Sequence, residues 1–187
     1  MLRYQKCLDG LPKQVFGLFA RSAKEIIKDR CDTEEGKKEF LRHAQCIRKP
    51  EIYAVNKCVH QSNVFLRFID RNATSEEVAP ALCCSIYVVA DCLKQQGDLY
   101  CANVSGSDTG KYMADISLRF AQNMIDFGCG QTANVAECEQ EEPYWMDAFR
   151  TLGTPLDKVT SKKQGTMIRN MMRLSKRFFE NDNEEQN

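Results

Sequence analysis

Histidine, tryptophan, glycine and proline are all scarce in this chain of 187 residues, which has 2 His, 1 Trp, 10 Gly and 5 Pro. So little glycine and proline excludes collagen-like and low-complexity proteins. Two histidines, with no Cys-x2-Cys pair beside them, cannot complete the ligand set of a structural zinc site. We therefore expect no metal ion and no cofactor.

Net charge and long apolar runs are also absent. Lys and Arg together number 26, as do Asp and Glu, and this balance excludes a generally basic nucleic-acid-binding protein. No run of about 18 apolar residues could form a transmembrane helix. Residues 1–6 lack the apolar core of a signal peptide, so a secreted form would be a mature chain without its leader.

Cysteine, in contrast, is abundant, and its ten positions all lie in the first three quarters of the chain. This even number is high for a cytosolic protein and predicts disulfides and an extracellular location. Ten cysteines allow too many pairings for the sequence to choose between them. The disulfide candidates are Cys7, Cys31, Cys46, Cys58, Cys83, Cys84, Cys92, Cys101, Cys129 and Cys138.

The adjacent cysteines at positions 83 and 84 allow one further prediction. On a helix their side chains diverge by about 100°. We therefore expect Cys83 and Cys84 to bond to different neighbouring segments. Cys58 lies on the apolar face of its helix, which predicts an internal disulfide.

Apolar residues recur every three or four positions along most of the chain, which predicts helices, and no alternating pattern predicts a strand. We expect an all-α bundle of six to seven helices, stapled by about five disulfides. Residues 1–141 form a cysteine-rich helical domain, and 142–187 form a cysteine-free helical extension packed on it. The expected helices cover about 12–30, 33–47, 50–69, 74–97, 112–128, 144–152 and 154–179.

Several helix ends can also be predicted. Thr74 and Glu77 have the spacing of a capping box, and Gly97 and Gly128 are candidate stops. The nearly continuous apolar run 82–90 indicates the central helix. Residues 129–138 are expected to be irregular, as a small closed loop.

Two N-glycosylation sequons begin at Asn72 and Asn103. Both are expected between helical segments, where a bulky sugar could extend into water.

Catalytic motifs are present only as isolated fragments. Asp108-Thr109-Gly110 copies the aspartic-protease tripeptide, but that chemistry needs two facing loops on β-structure, so a helix start is the better interpretation. Asp126-Phe127-Gly128 copies a kinase tripeptide without a phosphate-binding loop, and it fits the last turn of a helix.

Secreted phospholipases A2 are also helical and contain adjacent cysteines, which suggests a further comparison. Where those enzymes carry a histidine and an aspartate, this chain has Tyr87 and Val88, so no general base is available. His43 and His60 are expected to be exposed or helix-flanking. We predict that the protein is not an enzyme.

The last quarter of the chain carries a basic, amphipathic segment. Residues 156–179 contain seven basic residues and one acid, and four acids follow in the last eight residues. Its apolar stripe either packs on the domain or binds an anionic surface or a partner groove. The candidate anion-binding residues are Lys162, Lys163, Arg169, Arg173, Lys176 and Arg177. The acidic cluster Glu137, Glu139, Glu141 and Glu142 lacks the pattern of a calcium loop and is expected to be solvated.

The order of the cysteines between residues 7 and 138, with the segment 38–46 and the stretch Ala81-Leu82-Cys83-Cys84, resembles uncharacterised secreted cysteine-rich proteins of arthropods. These are similar in style to insect haemolymph glycoproteins. The resemblance implies an exported, helical, disulfide-bonded protein without an assigned activity. It supplies no catalytic residue.

Three functions fit these observations. The first is a secreted, N-glycosylated, non-enzymatic protein that binds another macromolecule, with homo-oligomers a further option. The second is an extracellular carrier of a small hydrophobic ligand such as a lipid, which would need an enclosed apolar cavity of several hundred Å³, the range of roughly 300–1,000 Å³. The third is a membrane-active effector that uses the C-terminal cationic helix.

Overall fold

Eight α-helices make up the protein in the computed structural model, which describes residues 10–46, 52–130, 132–153 and 167–180. No strand occurs in these ranges, so the prediction of an all-α, disulfide-stapled bundle is confirmed. One helix more than predicted is present, because residues expected to be irregular form a short helix. The helices are α1 (Gly10–Cys31), α2 (Glu34–His43), α3 (Ile52–Asn72), α4 (Ser75–Ser105), α5 (Thr109–Gly128), α6 (Val135–Glu141), α7 (Pro143–Gly153) and α8 (Met167–Glu180).

Helix α4 is the central element, as the apolar run in the sequence predicted. It packs against α3, α5, α6, α7 and α8. The predicted capping box starts it, since the Glu77 carboxylate accepts the backbone N–H of Thr74 at 2.8 Å. This bond lowers the pKa of Glu77 from its ordinary value. With 31 residues, α4 is about 46 Å long and can reach most of the other helices.

Gly97 does not end α4, contrary to the prediction; the helix continues to Ser105. Gly97 is instead buried against Gly110 of α5, and a Cβ atom added to Gly97 would lie 2.5 Å from the Cα atom of Gly110. The glycine therefore serves close helix packing. Gly106, with a φ angle of 107°, makes the turn that follows, because this conformation disfavours other residues.

All four disulfides of the described chain have one cysteine on α4. Cys101 bonds Cys46 after α2, and Cys92 bonds Cys58 on α3. Cys83 and Cys84 bond to different segments, as predicted. Cys58 is fully buried, so its disulfide is internal, as also predicted. The four pairs are Cys46–Cys101, Cys58–Cys92, Cys83–Cys129 and Cys84–Cys138.

The loop between Cys129 and Cys138 is not closed by a bond between those two residues. Each is tied separately to α4, and α6 forms between them because Asn134 caps it by accepting the backbone N–H of Glu137 at 3.0 Å. Cys31 has no partner among the described cysteines, and its predicted disulfide stays a prediction. Its thiol, exposed at the end of α1, is free within the described ranges, where the other cysteines bond to each other. Cys7 lies outside the described residues.

An aromatic cluster joins α3 to α7 and fills the core next to α4. The rings of Phe65 and Phe149 lie 4.6 Å apart, and Trp145 contacts both Phe149 and Phe68. Trp145, Phe65 and Phe149 are fully buried. The predicted aromatic helix at 144–152 is therefore confirmed, and it belongs to the same core as the cysteine-rich helices.

The apolar stripe of α8 packs on the domain rather than facing solvent. Leu174 is buried, and Met167 and Met171 pack against the core. Two polar contacts accompany this packing: Asn170 donates to Asn63 at 3.2 Å, and Arg173 pairs with Asp70 at 3.1 Å. Of the two interpretations of this segment, the structure supports packing for the described part, 167–174.

Removal of one α4 disulfide should destabilise the protein strongly. We expect the double variant Cys58→Ala/Cys92→Ala to lose roughly 2–4 kcal/mol of unfolding free energy, because the cross-link no longer restricts the unfolded chain. Chemical denaturation monitored by circular dichroism measures this loss. Ser107→Ala, at an exposed turn position, is the control and should change stability by less than about 0.5 kcal/mol. Equal losses in the two variants would contradict the disulfide assignment.

Two glycine substitutions should differ in their effect on stability. Gly97→Ala should cost roughly 1–3 kcal/mol, because the added Cβ forces α4 and α5 apart. Gly128→Ala is the matched control: a Cβ atom added to Gly128 would have no neighbour within 4 Å, so this variant should be neutral or gain up to about 1 kcal/mol. Urea denaturation of both variants measures the difference, and a stable Gly97→Ala variant would contradict the close approach.

Candidate functional site

Several large apolar side chains are exposed on α2, α3 and the end of α4, and we call the four most exposed of them the end patch. They are Leu41 of α2, Tyr53 of α3, and Leu99 and Tyr100 of α4, with exposed fractions of 64%, 72%, 66% and 44%. Single exposed apolar residues are common, but four at one end of a small domain are not accounted for by that tendency alone. Tyrosine in particular is enriched in protein interfaces.

Chain geometry brings these residues to the same end. Helices α3 and α4 are antiparallel because only residues 73 and 74 connect them, so the start of α3 lies beside the end of α4. The Cys58–Cys92 bond fixes this register. Helix α2 reaches the same place, since Arg42 donates to the carbonyl oxygen of Ser105, the last residue of α4, at 3.2 Å.

A polar cluster next to the end patch attaches α2 to the start of α5. The two terminal nitrogens of the Arg42 guanidinium, Nη1 and Nη2, each donate to the carboxylate of Asp108 at 2.7 Å. The arginine holds the pKa of Asp108 well below its usual range. Asp108 precedes α5 as predicted, but its side chain binds Arg42 instead of capping the helix.

His43 is the last residue of α2, in keeping with the expected position at a helix end, but it is buried at the centre of this cluster, with 2% exposure. Its ring stacks on Tyr112 with centroids 3.9 Å apart. Nδ1 lies 2.9 Å from the hydroxyl oxygen of Thr109, and Nε2 lies 2.8 Å from Nη2 of Arg42. Since arginine can only donate, Nε2 is the acceptor and the ring is neutral.

The hydroxyl of Thr109, the imidazole of His43 and the carboxylate of Asp108 thus lie close together, but burial keeps a substrate away from the hydroxyl and the imidazole. Thr109 is fully buried, and its hydroxyl faces the ring of His43. Nε2 of His43 is 3.9 Å from the Asp108 carboxylate, and Arg42 occupies its acceptor position. The arrangement fixes α2 to α5. Sequence reasoning missed the cluster because its members are 66 positions apart.

Further contacts extend the cluster towards α1. The guanidinium of Arg30 lies 4.8 Å from the centre of the Tyr112 ring and also pairs with Glu39. Burial raises the pKa of Tyr112, whose hydroxyl has no hydrogen-bond partner among the described residues.

The two sequons are accessible, although one lies elsewhere than predicted. Asn72 is the exposed last residue of α3, close to the expected position. Asn103 is exposed but belongs to the last turn of α4, because α4 runs past Gly97.

Only some of the candidate anion-binding residues lie in the described part. Arg169 is exposed, and Arg173 pairs with Asp70. Lys162 and Lys163 lie outside the described residues, as do the side chains of Lys176 and Arg177. Within the described part, the structure therefore brings together no basic cluster from this set.

The acidic cluster 137–142 has local structural partners. Glu137 accepts the backbone N–H of Ala133 at 2.6 Å, Glu139 pairs with Arg150, and Glu141 accepts the hydroxyl of Thr132. Across the ranges that the structure describes, no three His, Cys, Asp or Glu side chains gather to hold a metal ion. No helix in those ranges is both long and apolar enough to cross a bilayer.

Acidification should destabilise the protein through His43. Burial, reinforced by Arg42, lowers the pKa of His43 below its ordinary 6.5. The unfolded chain therefore binds the proton more readily, so stability is complete above about pH 6.5 and falls as the pH drops below it. Urea denaturation at pH 7.5 and 5.5 measures the difference.

The variant His43→Gln should lose most of this dependence between pH 7.5 and 5.5, because glutamine does not titrate. His60→Gln, which removes the other histidine, should retain it. An unchanged pH dependence in His43→Gln would show that another group is responsible.

Comparisons with known proteins found no match, so a function has to be inferred from the geometry. No family model matches the chain, and neither a curated protein nor a solved structure matches it.

Proposed function

We propose that this is a secreted, N-glycosylated, non-enzymatic protein that binds another macromolecule, a protein, through the end patch. Four intramolecular disulfides are typical of extracellular proteins, which supports this location. The observation that carries the proposal is the exposure of Leu41, Tyr53, Leu99 and Tyr100 at one end of the bundle.

Rigid support favours the end patch as a binding surface. Cys101 follows Tyr100 directly and is bonded to Cys46, and Cys58 lies five residues after Tyr53. These cross-links hold the patch in one arrangement before binding. A preorganised surface loses less conformational freedom on association, which favours affinity.

The surroundings of the patch fit a protein partner. Lys37, Lys38 and Arg42 on α2 supply a charged border, with Lys37 paired to Glu34 at 2.7 Å. An apolar centre that contains tyrosine, bordered by charges, is the usual arrangement of a protein interface.

The other two functions receive less support. Two apolar cavities inside the bundle are about 60 Å³ each, far below the several hundred Å³ that a lipid carrier requires. A larger groove of about 340 Å³ between α3, α4, α6 and α7 is open to solvent and is lined in part by Asp91, Glu139 and Arg150, so it is not the enclosed apolar cavity that a carrier needs. Met167, Met171 and Leu174 of α8, which a membrane-active helix would insert, are packed on the domain.

The resemblance to secreted arthropod proteins agrees with this proposal and stays a prediction. It rests on the order of the cysteines. The exposed positions of Asn72 and Asn103 are compatible with attached sugars.

Site-specific photo-crosslinking tests the end patch. A benzophenone amino acid at position 53 should give one discrete adduct when the protein is exposed to extracellular fluid from its source. The same probe at Tyr144, which is 62% exposed on α7, is the control and should give none. Mass spectrometry identifies the adduct, and an adduct of twice the chain mass would identify a second copy as the partner.

A second variant makes the result specific. Leu99→Ser, in the probe-bearing protein, should reduce the adduct about tenfold, because a central apolar contact contributes about 1.4 kcal/mol or more. An adduct that is equally strong at positions 53 and 144, or that survives Leu99→Ser, would overturn the proposal.

A further inference from the structure

Two small apolar cavities lie between α1, α4, α5 and α8, with α3 also bordering the second, away from the end patch. The first is bordered by Val78, Ala79, Met124 and Phe127, and the second by Phe19, Leu66, Val89 and Phe120. Each measures about 60 Å³, so the two together come to about 120 Å³.

The same three side chains line both cavities. They are Leu82 and Ile86 of α4 and Met171 of α8. Met171 is the flexible member of this shared wall, since an unbranched thioether side chain has three rotatable bonds and adapts to its surroundings. A different rotamer of Met171 would leave space on the α8 side of both cavities, so this side chain marks the place where the two could join.

Most polar groups in the cavity walls already have partners. Of the three serines that line the second cavity, Ser62 and Ser85 each donate to a carbonyl of their own helix at 2.7 Å, and Ser117 is the third. Cys83 and Cys129, which line the first, are bonded to each other. A ligand here would gain only from burial of its apolar surface, and a charged group would lose its hydration without compensation.

From this geometry we propose that the joined cavity binds one small, neutral, apolar molecule of about the size of a single aromatic ring. An apolar protein cavity of about 150 Å³ is large enough to bind benzene. The joined volume, about 120 Å³ plus the space left by Met171, is of that size. A long acyl chain does not fit, so the ligand class is smaller than a lipid.

Access is available from the side of the first cavity. Phe127, at its border, is 66% exposed, and Gly128 beside it carries no side chain. Neither residue forms a disulfide or belongs to the end patch, so ligand entry does not require the bundle to open. The site and the end patch occupy different regions, and either proposal can fail without the other.

Toluene is the first probe, with benzylamine and benzoate as charged molecules built on the same ring. Saturation-transfer NMR and titration calorimetry on the intact oxidised protein should show saturable toluene binding. Binding of the charged molecules should be at least tenfold weaker. Equal binding of all three, or no saturable toluene binding, would overturn the proposal.

Cavity variants locate the site. Ile86→Phe places a ring in the wall shared by both cavities and should reduce toluene affinity at least tenfold. Ile125→Phe is the matched control, since Ile125 packs against the core on α5 but borders neither cavity, and it should bind as the native protein does. Met171→Ala should increase affinity several-fold, because the spaces are then joined without a rotamer change.

Leu82→Phe is the alternative filling variant if Ile86→Phe does not fold. Toluene affinity that is unchanged in the folded filling variant, or reduced equally in Ile125→Phe, would place the molecule elsewhere and overturn the assignment. Loss of affinity in Met171→Ala would do the same.

Discussion

The covalent attachment of four segments to one helix is the constraint on which the rest of the structure depends. Cys83, Cys84, Cys92 and Cys101 lie on α4, and each bonds to a different part of the chain. Helices that share modest apolar faces would otherwise rely on packing alone, with little core to stabilise each of them. Because the bonds are spaced along about 27 Å of helix, from Cys83 to Cys101, four segments of the chain are fixed to the same axis.

Helices α2 and α8 are attached to the bundle by different contacts. Helix α2 is fixed by a disulfide, by the Arg42–Asp108 ion pair and by the buried ring of His43, so the surface beside it is rigid. Helix α8 comes after the last cysteine and is held without a disulfide, by Met167, Met171 and Leu174, the Asn63–Asn170 pair and the Arg173–Asp70 ion pair. A rigid surface suits recognition of a protein, whereas a methionine-rich contact can adapt to a small molecule. The proposed protein-binding surface accordingly lies beside α2, and the proposed small-molecule site lies beside Met171 of α8.

Much of the fold could be predicted from local patterns. The capping box at Thr74, the aromatic helix at 144–152 and the divergence of Cys83 and Cys84 depend on neighbouring residues only, and all three are confirmed. The predictions fail where a residue distant in sequence determines the local structure. Gly97 has the features of a helix stop, but Gly110 packs against it, and the burial of His43 depends on Tyr112 and Thr109, which are distant in sequence.

The sequence by itself determined the helices and the abundance of sulfur, because the spacing of apolar residues and the number of cysteines are properties of the chain alone. Tertiary structure decided which cysteines bond, that Cys31 pairs with no other cysteine of the described ranges, and which apolar residues stay outside the core. The end patch and the cavities beside Met171 belong to this second group. Both depend on where helices far apart in sequence meet, and periodicity within one helix carries no information about its neighbour.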